Sequence, residues 1–183
     1  MTLLRRKRMT DEYREREGGL FYGLLPESIS HEGYSAQPVH SYWDDFFALR
    51  GLKDAADMAR VLGEDERASG FATLRDDFRK TLVASLEKSI QSRGIDYIPG
   101  SAELGDFDPT STSIAVNPAG EFEHLPKAAL TRTFDRYWEE LDGMRRGLPG
   151  REAYSAYEIR NVETFLRLGQ KQRALDLLDF FLA

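Results

Sequence analysis

Apolar residues recur at helical spacing through most of the chain. The clearest stripe, which stops before Gly63, consists of Phe46, Leu49, Leu52, Ala56 and Ala59. Spacing of three and four residues places side chains on one face of a helix, and a glycine readily adopts the left-handed conformation that ends one. The alternating pattern of a strand is nearly absent. The sequence therefore predicts an all-α fold.

The order of helical segments and glycine turns predicts antiparallel helical hairpins, with about seven helices in all. The predicted helices cover residues 3–17, 41–62, 64–92, a short segment after Asp108, and residues 125–141, 154–168 and 173–183. We expect Asp108 to cap its helix, because Pro109 suits the first helical position. Residues 20–40 and 93–108 are longer loops, and loops of that length are usually functional.

The composition defines one globular domain over residues 1–183 and excludes several classes of function. The chain has 41% apolar and 31% charged residues and a net charge of −6, which argues against a nucleic-acid partner. Its basic segment, Arg5 to Arg8, is interpreted as a solvated helix end. The chain has no cysteine, no phosphate-binding glycine loop, and histidines without metal-motif spacing, so no metal or cofactor is predicted.

No apolar run approaches the ~20 residues of a membrane span. The basic N-terminus lacks the apolar region of a signal peptide. We therefore expect a soluble protein with no membrane partner, in a compartment that the sequence does not define. The apolar final segment, residues 177–183, has no helix cap, which predicts a truncated domain whose exposed apolar edge favours self-association.

Acidic and aromatic residues are concentrated near the start of the first long helix. The candidate ligand-binding residues in this region are Glu27, His31, Glu32, Tyr34, Tyr42, Trp43, Asp44 and Asp45. Aromatic rings pack against the apolar faces of sugars, and carboxylates accept hydrogen bonds from hydroxyls or transfer protons. Asp106 in the second loop and Tyr154 before a later helix are further candidates. This combination indicates a carbohydrate site.

Each of these residues also has a structural interpretation. Asp44 suits a helix N-cap, and Asp45 suits an exposed first-turn acid favoured by the helix dipole. Glu27 fits a surface position in a loop. A single imidazole such as His31 often makes structural hydrogen bonds, and Tyr154 fits a core position equally well.

Three phrases in a fixed order, at residues 25–34, 41–51 and 104–112, carry a family resemblance. Over residues 20–183 the chain resembles the six-hairpin glycosidases, in particular bacterial members. These enzymes are (α/α)6 toroids and include trehalases, glucoamylases and glucosidases. The resemblance implies part of such a toroid, from an inverting glycoside hydrolase that acts on gluco-configured oligosaccharides or glycosides.

In the resembling enzymes one carboxylate protonates the leaving oxygen, and a second, across a central pit, activates water. Asp44 matches a carboxylate that directly follows a tryptophan at the start of an inner helix and acts as an acid or holds a sugar hydroxyl. The partner carboxylate typically comes later in the domain, so the resemblance implies half of an active site and little hydrolysis by this chain alone. The alternative is a non-catalytic helical-repeat module that binds a protein or a glycan.

Overall fold

The computed structural model describes residues 5–30, 35–147 and 155–183. This part of the chain contains seven α-helices and no strand, which confirms the all-α prediction. The helices are α1 (Asp11–Glu15), α2 (Tyr42–Val61), α3 (Asp65–Arg93), α4 (Pro109–Val116), α5 (Lys127–Arg145), α6 (Asn161–Arg167) and α7 (Lys171–Leu182). Two 3-10 helices are also described: Arg16–Gly19 follows α1, and Ala156–Arg160 leads into α6.

Helices α2 and α3 form a long hairpin that contains much of the core. The turn between them includes Gly63, with a φ of 73°, and α3 ends at Gly94, which has a φ of 63°. Both helix ends agree with the predicted bounds of residues 41–62 and 64–92. The two helices pack against each other through apolar residues of the core, among them Phe46, Leu49, Phe78, Leu82 and Leu86.

The C-terminal helices pack around a fully buried aromatic side chain, Phe165 of α6. Its ring centroid lies 5.9 Å from that of Phe134, 6.1 Å from that of Tyr137 and 5.8 Å from that of Trp138. All three neighbours belong to α5, so this cluster joins α5 to the α6–α7 hairpin.

Two predicted helices are shorter in the structure. The prediction of one continuous helix over residues 3–17 is wrong in its described part, because the helix is interrupted at Thr10. Thr10 is the N-cap of α1, and its side-chain oxygen accepts from the Tyr13 backbone N–H at 3.4 Å. The helix predicted from Tyr154 starts later. Ser155 and Glu158 form a capping box around the 3-10 helix, and α6 follows from Asn161.

The predicted cap of α4 is confirmed. Asp108 Oδ1 accepts from the backbone N–H groups of Thr110, at 3.0 Å, and Ser111, at 3.1 Å. Asp108→Ala should lower the free energy of unfolding by about 1–2 kcal/mol, because these N–H groups lose their acceptor at a mostly buried helix end. Urea denaturation measures this loss. Asp96→Ala, at an exposed position, is the control, and an equal loss in both variants would contradict the capping role.

Candidate functional site

Asp44 lies in the first turn of α2 and is surrounded by serine hydroxyls. Its carboxylate accepts a hydrogen bond from Ser28 Oγ and another, at 2.9 Å, from Ser30 Oγ. Ser30 Oγ also lies 2.9 Å from Ser41 Oγ. Asp44 is half-buried. Its interpretation as the N-cap is wrong, because Ser41 occupies the N-cap position.

The backbone around these serines combines a bridge to Val39 with an uncommon conformation at Ser30. Ser28 exchanges two backbone hydrogen bonds of 2.9 Å with Val39. Ser30 has a φ of 61°, a left-handed conformation that is uncommon for a residue other than glycine. In this backbone conformation both hydroxyls reach Asp44.

Asp45 is buried, with 1% of its surface exposed, so its interpretation as an exposed first-turn acid is wrong. It lies on the core-facing side of α2 because it is three residues after Tyr42 and four before Leu49, both of which are fully buried. Its Oδ1 accepts from the Leu25 backbone N–H at 3.0 Å. Oδ2 has no hydrogen-bond partner in the part of the chain that the structure describes. Burial raises the pKa of Asp45 to about 8.

The two aromatic residues that precede Asp44 differ in exposure. Tyr42 is fully buried, and its hydroxyl lies 2.9 Å from Ser85 Oγ of α3. It has no surface with which to contact a ligand, so its predicted binding role is replaced by a packing role. Trp43 is 9% exposed, and the Arg160 guanidinium lies 4.9 Å from its ring centroid. Tyr157 meets the Trp43 ring edge-on at 6.1 Å.

The basic N-terminal segment is solvated at Arg6 and Lys7, but its interpretation as a solvated helix end is wrong for the buried Arg5. Arg5, 3% exposed, donates to the Gly23 carbonyl oxygen at 2.7 Å and to Thr81 Oγ1 at 3.2 Å. Arg8 donates to Glu27 Oε2 at 2.5 Å. Residues three apart share a helix face. This spacing was the available signal that these two arginines could point inward together.

Glu27 belongs to a chain of ionisable groups that the sequence analysis missed. Its Oε1 lies 3.6 Å from Nε2 of the buried His40, whose Nδ1 hydrogen-bonds Glu103. The His40 backbone N–H also donates to Glu103 Oε2 at 2.9 Å. Burial opposes ionisation of Glu27, but hydrogen bonds from its own backbone and from Arg8, with the nearby His40, lower its pKa overall. Glu27 is thus an exposed loop residue, as its structural interpretation predicted, and it is also paired with Arg8.

Asp106 joins the same region through Ser101. Its Oδ1 accepts from the Ser101 backbone N–H at 3.1 Å and from Ser101 Oγ at 2.8 Å. Ser101 also forms a backbone bridge with Ser41, beside the Asp44 cluster. Burial raises the pKa of Asp106 to about 6. Asp106 and Glu103 line an open cleft of about 530 Å³ whose other walls are Ser35, Ala36, Gln37, Pro38, Val39 and Leu104.

Four of the predicted site residues, His31, Glu32, Tyr34 and Tyr154, lie outside the described residues. Within the described ranges, no group of three or more His, Asp or Glu side chains is arranged to hold a metal ion. No helix in the same ranges is both long and apolar enough to cross a membrane.

Comparison of the chain with models of protein families, with curated proteins and with solved structures finds no significant match. The resemblance to six-hairpin glycosidases therefore stays a prediction, and functional inference depends on the geometry around Asp44.

Proposed function

We propose that the chain binds carbohydrate at Asp44, as part of a glycoside hydrolase. The observation that supports this proposal is the half-buried Asp44 carboxylate, which accepts from two serine hydroxyls. A carboxylate has about four acceptor positions on its two oxygens. Asp44 therefore keeps acceptor capacity for a ligand hydroxyl after Ser28 and Ser30 are bound. Bonds from hydroxyls to an ionised carboxylate are among the stronger hydrogen bonds in proteins.

Neighbouring groups would define the rest of the site. Trp43 precedes Asp44 in the chain and is 9% exposed, with Arg160 and Tyr157 against its ring, so a sugar would reach the ring only where these neighbours leave it open. With its pKa raised to about 6, Asp106 can donate or accept a hydrogen bond near that pH. Glu27 is engaged by Arg8 and His40, so we assign it an electrostatic and positioning contribution.

Hydrolysis with inversion requires a second carboxylate that activates water, about 6.5–9.5 Å from the acid. Asp44 supplies one carboxylate in this proposal. We therefore propose sugar binding for this chain, and cleavage of gluco-configured glycosides for a site in which a second carboxylate faces Asp44.

A second candidate is a helical module that binds a protein, including another copy of itself. Apolar residues are exposed at the turn between α2 and α3, where Met58 is 65% exposed and Val61 87%. They adjoin a shallow cleft of about 440 Å³ next to Phe71. Exposed apolar patches often mark interaction sites. This candidate locates binding at the opposite end of α2 from Asp44.

A thermal melt with glucosides, maltose, trehalose and mannosides tests the carbohydrate proposal. A sugar that binds the native state should raise Tm, since saturation at 100 times Kd adds about 2.7 kcal/mol of stability. Asp44→Asn should weaken the affinity for that sugar by ~10-fold or more, because the substitution removes a charged acceptor whose hydrogen bond is worth about 1.5–3 kcal/mol.

Asp54→Asn is the matched control, since Asp54 is a partly exposed acid of the same helix that pairs with Arg50. This variant should keep the wild-type shift. A Tm that no sugar changes, or a shift that Asp44→Asn keeps in full, would contradict the carbohydrate proposal. The first of these results would favour the protein-binding candidate.

A further inference from the structure

Residues 20–30 lie across the start of α2 and are held there by buried contacts. Leu20, Phe21 and Leu24 belong to the core. The only side chain of α2 that bonds the backbone of residues 20–25, among the described residues, is Asp45, through the Leu25 N–H at 3.0 Å. Ser28 and Ser30, which bond Asp44, follow directly. Asp45 thus holds the segment that leads to these serines, and the Ser28–Val39 bridge holds the serines from the other side.

The surroundings of Asp45 favour its neutral form. Its carboxyl group has a single hydrogen bond from the protein, and its second oxygen is buried without a partner in the described structure. An ionised carboxylate with so little solvation is costly. The Leu25 hydrogen bond and Arg5 of the N-terminal segment favour ionisation, whereas Asp44 of its own helix and Glu103 of the second loop oppose it. Burial outweighs the favourable contacts, so an ionised Asp45 is relieved by water that enters beneath residues 20–30 and not by loss of the Leu25 bond itself.

Arg5 and Tyr42 also interact electrostatically with Asp45. Arg5 donates its hydrogen bonds to Gly23 and Thr81 rather than to Asp45, and it also interacts with Asp77 of α3 and with Tyr22. The Tyr42 hydroxyl is buried against Ser85. Burial raises the pKa of Tyr42, and the nearby Asp45 raises it further. The Asp45 carboxyl is therefore a buried group with an incomplete set of partners.

We infer that Asp45 is a pH-sensitive switch, which packs residues 20–30 against α2 when it is protonated and loosens them when it ionises. Loosening displaces Ser28 and Ser30 from Asp44, so the consequence for ligand binding rests on the proposed function. The effect of Asp45 ionisation on the stability of the fold does not depend on the proposed function.

The direction of the pH dependence follows from the raised pKa. Asp45 has a pKa of about 8 in the folded chain, against about 3.9 in an unfolded one. Its stabilising contribution is fully present below about pH 4 and is lost as the pH rises through the folded pKa. The ratio of folded to unfolded protein should fall by up to ~10-fold per pH unit in this window.

Asp45→Asn tests the switch, because the amide keeps the acceptor for Leu25 and cannot ionise. We expect urea denaturation between pH 5 and pH 9 to show a steeper loss of stability for the wild type than for Asp45→Asn. Asp54→Asn, which replaces a partly exposed acid of α2, should follow the wild type. Parallel curves for the wild type and Asp45→Asn would overturn the inference.

Hydrogen exchange of the wild-type protein gives a second readout that does not depend on a variant. After correction for the intrinsic pH dependence of exchange, protection of residues 20–30 should fall by ~10-fold or more between pH 6 and pH 9, while that of α3 falls less. Equal changes in both segments would overturn the switch. If protection falls as expected but no sugar binds at either pH, the switch stands and the proposed function fails.

Discussion

Glu121→Gln should lower the free energy of unfolding by about 3 kcal/mol, the lower end of the range for a broken buried ion pair. Glu121 is 2% exposed and accepts from Arg79 Nε at 2.5 Å, Arg79 Nη2 at 3.0 Å and Lys53 Nζ at 2.7 Å. It joins α2 and α3 to the segment after α4. The lower end applies because Arg79 and Lys53 stay partly hydrated when their partner is lost.

Chemical denaturation at pH 7 measures this effect, and Glu123→Gln is the matched control. Glu123 lies two residues away but pairs with Lys127 at an exposed position, so its loss should cost less than about 1 kcal/mol. Similar losses in the two variants would contradict the account of Glu121 as the junction of three segments.

The effect of Glu121→Gln should also depend on pH. Burial opposes ionisation of Glu121, but hydrogen bonds from Arg79 and Lys53 outweigh it and lower the pKa. A lowered pKa means that the stabilisation is present above the unfolded value of about 4.3 and is lost as pH falls through the folded value. The difference between wild type and variant should therefore shrink in acid.

Phe165→Ala is expected to have a similar or larger effect, a loss of about 3–5 kcal/mol. Phe165 is fully buried and its ring contacts three aromatic rings of α5. Alanine removes these contacts and leaves a cavity between α5 and α6. For a chain of this size each kcal/mol lowers Tm by roughly 2–4 °C, so a thermal melt will detect the loss easily.

The neighbouring residue supplies a control for Phe165. Leu166 is exposed on the same helix, so Leu166→Ala should change stability by no more than about 0.5 kcal/mol. If Phe165→Ala is as mild as Leu166→Ala, α6 does not pack on α5 as described.

The helices that the sequence predicts well are those whose ends are local signals. Gly63 and Gly94 terminate α2 and α3 because glycine accepts a positive φ, and Asp108 caps α4 through backbone N–H groups two and three residues away. Such signals act within a few residues and are visible in one sequence. The interruption at Thr10 is also local, but the charged residues around it obscured it.

The candidate site was less predictable, because its contacts join residues far apart in the chain. His40 and Glu103 are 63 residues apart, and Arg5 and Thr81 are 76 apart. No periodicity reveals such pairs. Asp45 is an intermediate case. Its place in the buried stripe of α2 could be read from the sequence, but an aspartate at a helix start suggests exposure.

The most direct test of carbohydrate recognition at Asp44 is an NMR titration of isotope-labelled protein at pH 6, with the sugar that raises Tm most. We expect saturable shifts for the Trp43 indole N–H and for the backbone of residues 28–30 and 41–45, and their loss in Asp44→Asn but not in Asp54→Asn. Shifts centred on the exposed turn near Leu62, or none at all, would contradict the account.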